Sequence, residues 1–566
     1  MKEPDLKYDT AVSEAREVID VALGHGMSHI VLSPGSRNAP LLIAASSRDE
    51  LKKHIVVDER TAAFVALGIA TTSGKPVGLV CTSGTALLNY APAVAEAYYR
   101  NIPLIVISAD RPEEWIDQDD SQTIRQFEAL RNFVKNSYDL EASGLDEISP
   151  TGLANRLAND AMFTALSGPR GPVHINLRFP EPLGKLTACG RRSPRIITSV
   201  DVPREISRDV LKQLGEEARD KKILVVCGFM NPDHKMIRAL KELEEIPNVC
   251  VMAESLANFT GSEDAHVIDI VLSRLTEEKE KLLAPDIVVS VGGALVSRKL
   301  KEFLRRSDAR HWGVGFFKTT VDCFRSLSKR IEAEPAPFMR GLASVLRGVV
   351  DDATPTYAVN WRMERRSAID RRERLVKEAP WCELKAFEIL SRYLGRDMNL
   401  HLSNGTSVRY GQLFDFDVHA TYSNRGVSGI DGSTATAMGS AIEYSGTTIL
   451  VTGDMSFSYD LGALGSNLAP DCFKIIVINN CGGAIFRFVG STSSLDEEIR
   501  ERYFCADSHP PVKELADAFG WSYASASSED QLNRVLPHFL SSDRRGILEI
   551  KVPADTGAEQ LRLLLS

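Results

Sequence analysis

Two stretches decide the fold of this chain: TTILVTGDMSFSYD at 447–460 and KIIVINNCGG at 474–483. Each opens with a short apolar run and passes directly into a turn that carries polar side chains. Such runs are typical of buried strands in a parallel sheet, and the segment between them predicts one β-α-β unit. Asp454 and Asn480, 26 residues apart, then follow the ends of neighbouring strands. Because ligands bind beyond the carboxyl ends of parallel strands, both residues are candidate site residues.

The same alternation of apolar runs and helical patterns covers all 566 residues. It predicts an α/β protein with three domains, each a doubly wound parallel sheet. A polar segment around 185–205 and the charged run RMERRSAIDRRERLVKEAP at 362–380 separate them, and we expect the run to be a solvated helix face rather than a site for an acidic partner. The predicted domains are residues 1–185, 206–350 and 380–566.

The first and third blocks also resemble each other. Gly84 to Asp110 spans the same 26 residues as Asp454 to Asn480, and both segments read strand, turn, helix, strand. We expect one helix over 85–99 in the first block. The repeated length is a hint of two similar domains, although a common β-α-β length also explains it.

Composition narrows the classes of function. A net charge of −9 argues against a nucleic-acid-binding surface spread over the protein. The nine cysteines are scattered without a CxxC pair or a zinc-like spacing, which favours reduced thiols and a cytoplasmic location. The opening residues are polar, and no apolar run approaches the ~20 residues that a membrane span needs.

The residues around Asp454 and Asn480 suit a metal-bound diphosphate. A carboxylate, an amide oxygen and a backbone carbonyl supply half of an octahedral oxygen shell for Mg²⁺ (or Mn²⁺). Gly482 and Gly483 allow a turn that points a carbonyl inward, and Gly453 lets backbone amides approach an anion. The alternative is that Asp454 only caps a helix.

The pattern GDM…INNCGG resembles the thiamine diphosphate motif, Gly-Asp-Gly followed by Asn-Asn, of thiamine-dependent decarboxylases and carboligases. Met455 stands where that motif has its second glycine. The resemblance implies that Asp454 and Asn480 bind the metal through their side chains and Gly482 through its carbonyl.

A candidate catalytic carboxylate lies in HIVVDERTAAFVALGIA at 54–70, where a predicted strand ends at Asp58–Glu59 and an alanine-rich helix begins. By resemblance, Glu59 shares a proton with the aminopyrimidine ring of the cofactor and so promotes its activation. In such enzymes this glutamate reaches cofactor held by another subunit, which implies a homodimer or homotetramer. The alternative is a glutamate favoured by the helix dipole.

Several basic residues follow predicted strands or lie in glycine-rich turns. Arginine binds carboxylates bidentately, so a group of them suits a substrate with several carboxylates. For each one alone, a surface arginine or a structural ion pair is the alternative. Thiamine-dependent decarboxylases that release a free aldehyde often carry two adjacent histidines. No two of the 11 histidines of this chain are adjacent in sequence, so the resemblance favours carbon–carbon bond formation. The basic residues are Arg37, Arg111, Arg298, Lys299, Arg409 and Arg425.

The motifs PGSRNAPL, DERTAAFVALGIA, TSGTA, ISADRP, DDSQTIRQ, SNRGVSGIDG and NNCGGAIF together resemble the 2-succinyl-5-enolpyruvyl-6-hydroxy-3-cyclohexene-1-carboxylate synthases of menaquinone biosynthesis. That family decarboxylates 2-oxoglutarate on thiamine diphosphate and adds the four-carbon unit to isochorismate, without release of pyruvate. The resemblance implies a pyrimidine-binding first domain with the catalytic Glu59, a central domain and a diphosphate-binding third domain. It also implies substrate contacts from Ser36, Arg37, Arg111, Gln122, Arg298, Lys299, Arg409, Arg425 and Phe486. The implied cofactor contacts are Glu59, Gly405, Ser428, Ile430, Gly453, Asp454, Met455, Asn480, Gly482 and Phe486.

The chain departs from that family at two places. The order Arg298–Lys299 replaces the usual Lys–Arg, and Gly405 stands where a serine is common. The polar stretch STSSLDEEIRERYF at 491–504 is either a mobile lid or an ordinary surface segment. Two rival functions stay open: an acetolactate-synthase-like carboligase, and a non-catalytic nucleotide-binding protein that uses SVGGALVSRK at 290–299 as an anion loop.

Overall fold

The computed structural model describes residues 8–142, 152–188, 194–200, 206–259, 267–349 and 356–566. It contains three parallel sheets flanked by helices, which confirms the α/β class.

The proposed linker at 185–205 lies partly outside the described residues, and the three domain boundaries stay a prediction. By internal contacts the chain forms two compact units: Met1–Val200, Gly426–Thr448 and Tyr459–Phe473 in the first, and Asp201–Arg425, Ile449–Ser458 and Lys474–Ser566 in the second.

The first sheet lies in the first unit. Its strands and a short antiparallel pair (β1 with β8) are β1 (Tyr8–Thr10), β2 (His29–Leu32), β3 (Lys52–Ile55), β4 (Val77–Cys81), β5 (Leu104–Asp110), β6 (Ser137–Glu141), β7 (Val173–Arg178) and β8 (Leu186–Ala188). The helices are α1 (Ser13–Gly24), α2 (Ala39–Ser46), α3 (Glu59–Ser73), α4 (Ala86–Asn89), α5 (Ala91–Tyr99) and α6 (Leu153–Leu166). The strand order is β3-β2-β4-β5-β7-β6, so the chain reverses direction between β2 and β4.

The single helix expected over 85–99 is wrong. The helix is interrupted at Tyr90, which lies between α4 and α5, and Pro92 occupies the first turn of α5. Proline lacks the amide hydrogen that an uninterrupted helix would need there, so it starts a helix more readily than it continues one.

The second sheet lies in the second unit and has the order β10-β9-β11-β12-β13. Its strands are β9 (Ile223–Cys227), β10 (Val249–Ala253), β11 (Ile287–Val291), β12 (Arg310–Val314) and β13 (Leu327–Ile331). The accompanying helices are α7 (Arg208–Glu217), α8 (His234–Glu244), α9 (Ile268–Leu272), α10 (Glu277–Leu283), α11 (Arg298–Arg306) and α12 (Pro335–Val349).

The third sheet has six strands and follows the long helix α13 (Thr356–Glu378). Its elements are α14 (Glu383–Tyr393), β14 (Met398–Leu402), α15 (Thr406–Gly411), β15 (Ala420–Tyr422), α16 (Ser433–Glu443), β16 (Thr447–Gly453), α17 (Asp454–Tyr459), β17 (Phe473–Asn479), α18 (Gly490–Ser493), α19 (Glu497–Arg500), α20 (Val512–Ala518), β18 (Ser522–Ala526), α21 (Glu529–Ser541), β19 (Gly546–Lys551) and α22 (Thr556–Leu565). Residues 491–504 thus include the end of α18, a non-helical stretch at 494–496, α19 and most of a π-helical turn at Glu501–Cys505.

The third sheet runs β15-β14-β16-β17-β19-β18. Counted along the chain, this is the same order as in the first sheet: second, first, third, fourth, sixth, fifth. The shared topology supports the hint of two similar domains. In both sheets the reversal point follows the first strand, where loops spread apart and leave room for a ligand.

The charged run at 362–380 lies in and just after α13, and its arginines are not all solvated as expected. Arg365 is buried and donates to the carbonyl of Val251 at 2.6 Å. Arg372 donates to the carbonyl of Leu413 at 2.7 Å. Arginine is suited to this role because its several donors can satisfy carbonyls that lack another partner. The run therefore ties α13 to its own unit.

Within the first unit, α3 and α16 pack with their backbones almost in contact. A Cβ at Gly68 would lie 2.0 Å from the carbonyl oxygen of Thr436, and one at Gly439 would lie 2.1 Å from that of Val65. Only glycine allows this approach. The crossing fixes the position of α3, and Glu59 is the first residue of that helix.

None of the described helices is both long and apolar enough to cross a bilayer.

Candidate active site

Asp454 and Asn480 lie where the sequence places them, at the carboxyl ends of β16 and β17. Asp454 Oδ1 accepts a hydrogen bond from the amide of Met455, and Oδ2 accepts one from the amide of Gly482, both at 2.8 Å. Asp454 therefore begins α17 and also joins the two strand ends, so helix capping is only part of its role. Burial raises the pKa of this carboxyl group to about 6.

Asn480 presents a buried oxygen that suits a metal. Its side chain is 3% exposed, and Oδ1 has no hydrogen-bond partner among the described residues. The amide nitrogen Nδ2 donates to Oε1 of Glu383 at 2.8 Å. A buried oxygen without a donor is unfavourable, and a cation beside it would remove that penalty. The donor set of carboxylate, amide and carbonyl oxygens fits Mg²⁺.

The turn after Asn480 has the backbone that the two glycines predict. Gly482 has φ +134°, and a Cβ there would lie 2.5 Å from the carbonyl oxygen of Cys505. Cys481 also adopts a positive φ, +62°, which is uncommon for a residue with a side chain. The Gly482 carbonyl, predicted as a ligand, accepts from the amide of Ala484 at 3.0 Å. Phe486 follows in the same turn and contacts Phe504 edge-on.

Gly405, a departure from the family, has a local reason. It lies at the start of α15 with φ +103° and ψ −130°, which only glycine adopts without strain. The serine common there would need a different backbone. The neighbouring Asn404 accepts from Arg425 Nη1 through Oδ1 at 3.0 Å.

In the first unit, Glu59 does not cap α3, because the preceding residue does so. Asp58 caps α3, accepting through its side chain from the amides of Arg60 and Thr61. Burial raises the pKa values of the Tyr90 hydroxyl and the Cys81 thiol, and the charge of Glu59 raises both further. Glu59 therefore lies near the carboxyl end of β4.

Arg37 and Arg111 lie near each other in the first unit. Burial lowers the pKa of Arg37, and the charge of Arg111 lowers it further. Arg37 pairs with Glu181 at 3.2 Å, and Arg111 pairs with Asp120 at 2.7 Å. Both arginines thus form the structural ion pairs that were the alternative to a substrate contact, and their substrate contacts stay a prediction.

Ser36 is exposed beside Arg37. Gln122 has φ +54°, in the loop whose Ser121 carbonyl accepts from Arg111.

The loop that carries Ser428 and Ile430 is held by Glu96. The Glu96 carboxylate accepts from the amides of Gly426 and Val427 at 2.8 and 2.7 Å. Ser428 adopts φ +64°, and Ile430 is 37% exposed. Positive φ at a non-glycine residue is strained, and the role predicted for this loop stays a prediction.

Arg298, Arg409 and Arg425 form a cluster of like charge in the second unit. Burial lowers the pKa of Arg409, and the charges of Arg425 and Arg298 lower it further. Arg409 Nε has no hydrogen-bond partner within the described residues. Lys299 lies near the half-buried Asp269. The carboxylates of Asp269 and Glu254 also lie near Arg409 and raise its pKa. Arginines grouped in this way suit an anion with more than one carboxylate.

Sequence reasoning missed three buried glutamates that hold these loops. Glu96 holds residues 426 and 427, and Glu383 contacts Asn480. Glu254 accepts from the amides of Val296 and Ser297, both at 2.7 Å, directly before Arg298.

Burial raises the pKa values of Glu254 and Glu383 to about 7. No local pattern marks these residues, because each acts on a loop distant in sequence.

Comparisons with known proteins identify the family of the chain. A family model described as "Thiamine pyrophosphate enzyme, N-terminal TPP binding domain" matches residues 14–129. The chain is 42% identical to the 2-succinyl-5-enolpyruvyl-6-hydroxy-3-cyclohexene-1-carboxylate synthase of Porphyromonas gingivalis, over 95% of this chain and 94% of the relative. The chain belongs to this family of synthases.

Further members are similarly related. The synthase of Christiangramia forsetii is 36% identical over 98% of both chains. That of Flavobacterium psychrophilum is 36% identical over 95% of this chain and 96% of the relative. The chain is thus a thiamine diphosphate-dependent enzyme, as the motifs predicted. The residue roles given above stay predictions.

Proposed function

We propose that this enzyme decarboxylates 2-oxoglutarate and adds the resulting four-carbon unit to isochorismate by 1,4-addition, in menaquinone biosynthesis. The cluster of Arg298, Arg409 and Arg425 carries the substrate assignment. Both substrates are dianions, and arginine binds carboxylates bidentately. The carboxylates of Asp269 and Glu254 also lie near Arg409, so the cluster already has some counter-charge within the chain. The names of the relatives at near-full-length similarity support the same reaction.

The proposed roles of the chain's residues follow from their chemistry. Asp454, Asn480 and the Gly482 carbonyl would hold Mg²⁺, or Mn²⁺, against the cofactor diphosphate, while Gly405, Gly453 and Met455 line it. When bound, thiamine diphosphate supplies an electron sink for loss of carbon dioxide. Glu59 holds a proton at its carboxylate for exchange with the aminopyrimidine ring. The basic residues orient both substrates, so we expect much of the acceleration to come from positioning.

We further propose a homodimer or homotetramer in which Glu59 serves a cofactor bound by another subunit. Apolar side chains exposed near Glu59 support an interface there: Ile55 is 63% exposed and Val57 is 75% exposed. Exposed apolar residues close together commonly mark a protein–protein contact. A cytoplasmic location remains a proposal that rests on the described cysteines, none of which forms a disulfide.

The test is carbon dioxide release from 2-oxoglutarate with thiamine diphosphate and Mg²⁺, with and without isochorismate. We expect turnover and a coupled product that depend on isochorismate and collapse in Glu59→Gln. Turnover with pyruvate in place of 2-oxoglutarate would move the assignment to an acetolactate-synthase-like carboligase. A folded protein that binds the cofactor and turns over no 2-oxo acid would contradict the proposed function.

A further inference from the structure

We propose that Glu383 is a positioning residue that fixes which atom of the Asn480 amide faces the metal. The proposal rests on the metal site proposed above and concerns a residue outside the thiamine motif. Glu383 is the first residue of α14, 97 residues before Asn480, and its side chain is 1% exposed.

The contact between the two side chains has a direction. Glu383 Oε1 accepts from Asn480 Nδ2 at 2.8 Å in a buried environment. Because Oε1 is the acceptor in this contact, the asparagine turns its NH₂ group toward Glu383. The carbonyl oxygen Oδ1 then faces the other way, where it has no partner in the described part of the chain. If the amide were reversed, two acceptors would meet and a donor would face the cation.

The surroundings of Glu383 leave space for its carboxylate. A Cβ at Gly557 would lie 1.6 Å from Glu383 Oε2, so only glycine leaves room for that oxygen. The Gly557 carbonyl accepts from the hydroxyl of Tyr410 at 2.9 Å, which holds the start of α22. Oε2 itself has no hydrogen-bond partner among the residues described.

Burial of Glu383 is unfavourable for its charged form and raises its pKa. Burying a carboxylate with one unsatisfied oxygen destabilises the folded protein. Arg487 lies close enough to lower the pKa of Glu383 and so offsets part of this cost. Partners that orient a metal ligand typically change metal affinity about 10–100-fold when removed. The contact with Glu383 therefore leaves the Asn480 Oδ1 atom available to a metal.

The experiment measures Mg²⁺ affinity directly. Mg²⁺ is titrated into the full-length protein at saturating thiamine diphosphate, followed by calorimetry, for the wild type and Glu383→Gln. We expect the substitution to weaken Mg²⁺ binding about 10–100-fold, because a glutamine can pair with either orientation of the asparagine. Glu388→Gln is the matched control, since Glu388 lies on the same helix and pairs with Arg392 at the surface. We expect it to bind Mg²⁺ like the wild type.

The double variant Glu383→Gln with Asn480→Asp distinguishes orientation from general structural support. It restores a carboxylate–amide hydrogen bond with donor and acceptor exchanged and still offers the metal an oxygen. We expect it to bind Mg²⁺ more tightly than Glu383→Gln alone, a coupling between neighbours that a double-mutant cycle measures.

Wild-type affinity in Glu383→Gln, or no recovery in the double variant, would overturn the inference. If Glu383→Gln fails to fold, the comparison of the double variant with Asn480→Asp alone replaces it, and we then expect the double variant to bind Mg²⁺ more tightly. A wild type that binds neither Mg²⁺ nor thiamine diphosphate would instead refute the proposed function.

Discussion

Single residues in this protein hold the predicted site loops through buried carboxylates. Glu96 and Glu254 each accept from two consecutive backbone amides, and Glu383 accepts from one side-chain amide. Hydrogen bonds to a charged acceptor contribute about 1.5–3 kcal/mol each, more than those between neutral groups. Each glutamate thus sets the position of a loop without itself belonging to a motif.

The first prediction concerns Gly405. Gly405→Ser places a side chain at φ +103°, and we expect it to lower the free energy of unfolding by about 1–3 kcal/mol. Denaturant unfolding monitored by circular dichroism measures the change. Gly184→Ser is the control, because Gly184 has open space around it and an ordinary φ. Equal stability of the two variants would contradict the strain argued here.

Two histidines separated in sequence meet in the first unit and supply the second prediction. His29 Nδ1 lies 3.0 Å from His54 Nε2, and His29 Nε2 lies 3.0 Å from Glu443. Burial lowers the pKa of each histidine to about 4, and the nearby Lys52 adds to the effect, as Lys75 does at His29. The sequence did not reveal this pair, because the two histidines are 25 residues apart in the chain. His29 begins β2, at the end opposite to the predicted site.

The sign of the pH effect follows from these pKa values. Above an unfolded pKa of about 6.5 both states are neutral, and between 6.5 and 4 the unfolded chain binds more protons. We therefore expect the free energy of unfolding to fall as the pH falls from about 6.5 to about 4. In His54→Gln we expect a shallower fall, measured by urea unfolding at several pH values. An unchanged slope in the variant would argue against a role for the pair.

At the scale of elements, the crossing of α3 and α16 decides where Glu59 lies. Gly68→Ala and Gly439→Ala each push a methyl group into a carbonyl oxygen about 2 Å away. We expect each to destabilise the protein by about 1–3 kcal/mol, since the opposing backbone cannot move without separating the helices. Denaturant unfolding measures this.

The matched control for the crossing is Gly348→Ala, because Gly348 in α12 has open space around it. We expect that variant to be as stable as the wild type or slightly more so, since alanine favours helices. Catalytic activity should fall with stability in the crossing variants alone, because their substitutions displace the start of α3.

At the scale of the whole molecule, the oligomer is the testable feature. Glu59→Gln and Asp454→Asn are each expected to be inactive. If Glu59 serves the cofactor of another subunit, a mixed dimer regains one complete site, and random mixing should restore about a quarter of wild-type activity. The assay is activity after co-refolding of the two variants. No recovery in mixtures that form dimers would contradict a shared site.

The sequence predicted much of the fold because its strands are continuous apolar runs with glycine turns. β16 and β17 were visible in this way, and the motif residues lie at their ends. β6, β15 and β18 were not, since their sequences SYDLE, ATY and SYASA are short or polar and become strands by pairing with a neighbour. Sheet pairing is a tertiary effect that a local pattern does not record.

The sequence by itself determined the α/β class and the family, and it predicted which residues at the strand ends form the site, because each depends on local patterns. Only the tertiary structure decided the partners of those residues. Packing buries the Oδ1 oxygen of Asn480. It also brings together residues that are separated in sequence, as in the cluster of Arg298, Arg409 and Arg425 and in the contact between His29 and His54. The physical reason is that burial and proximity arise from packing, whereas motif and periodicity are properties of short segments.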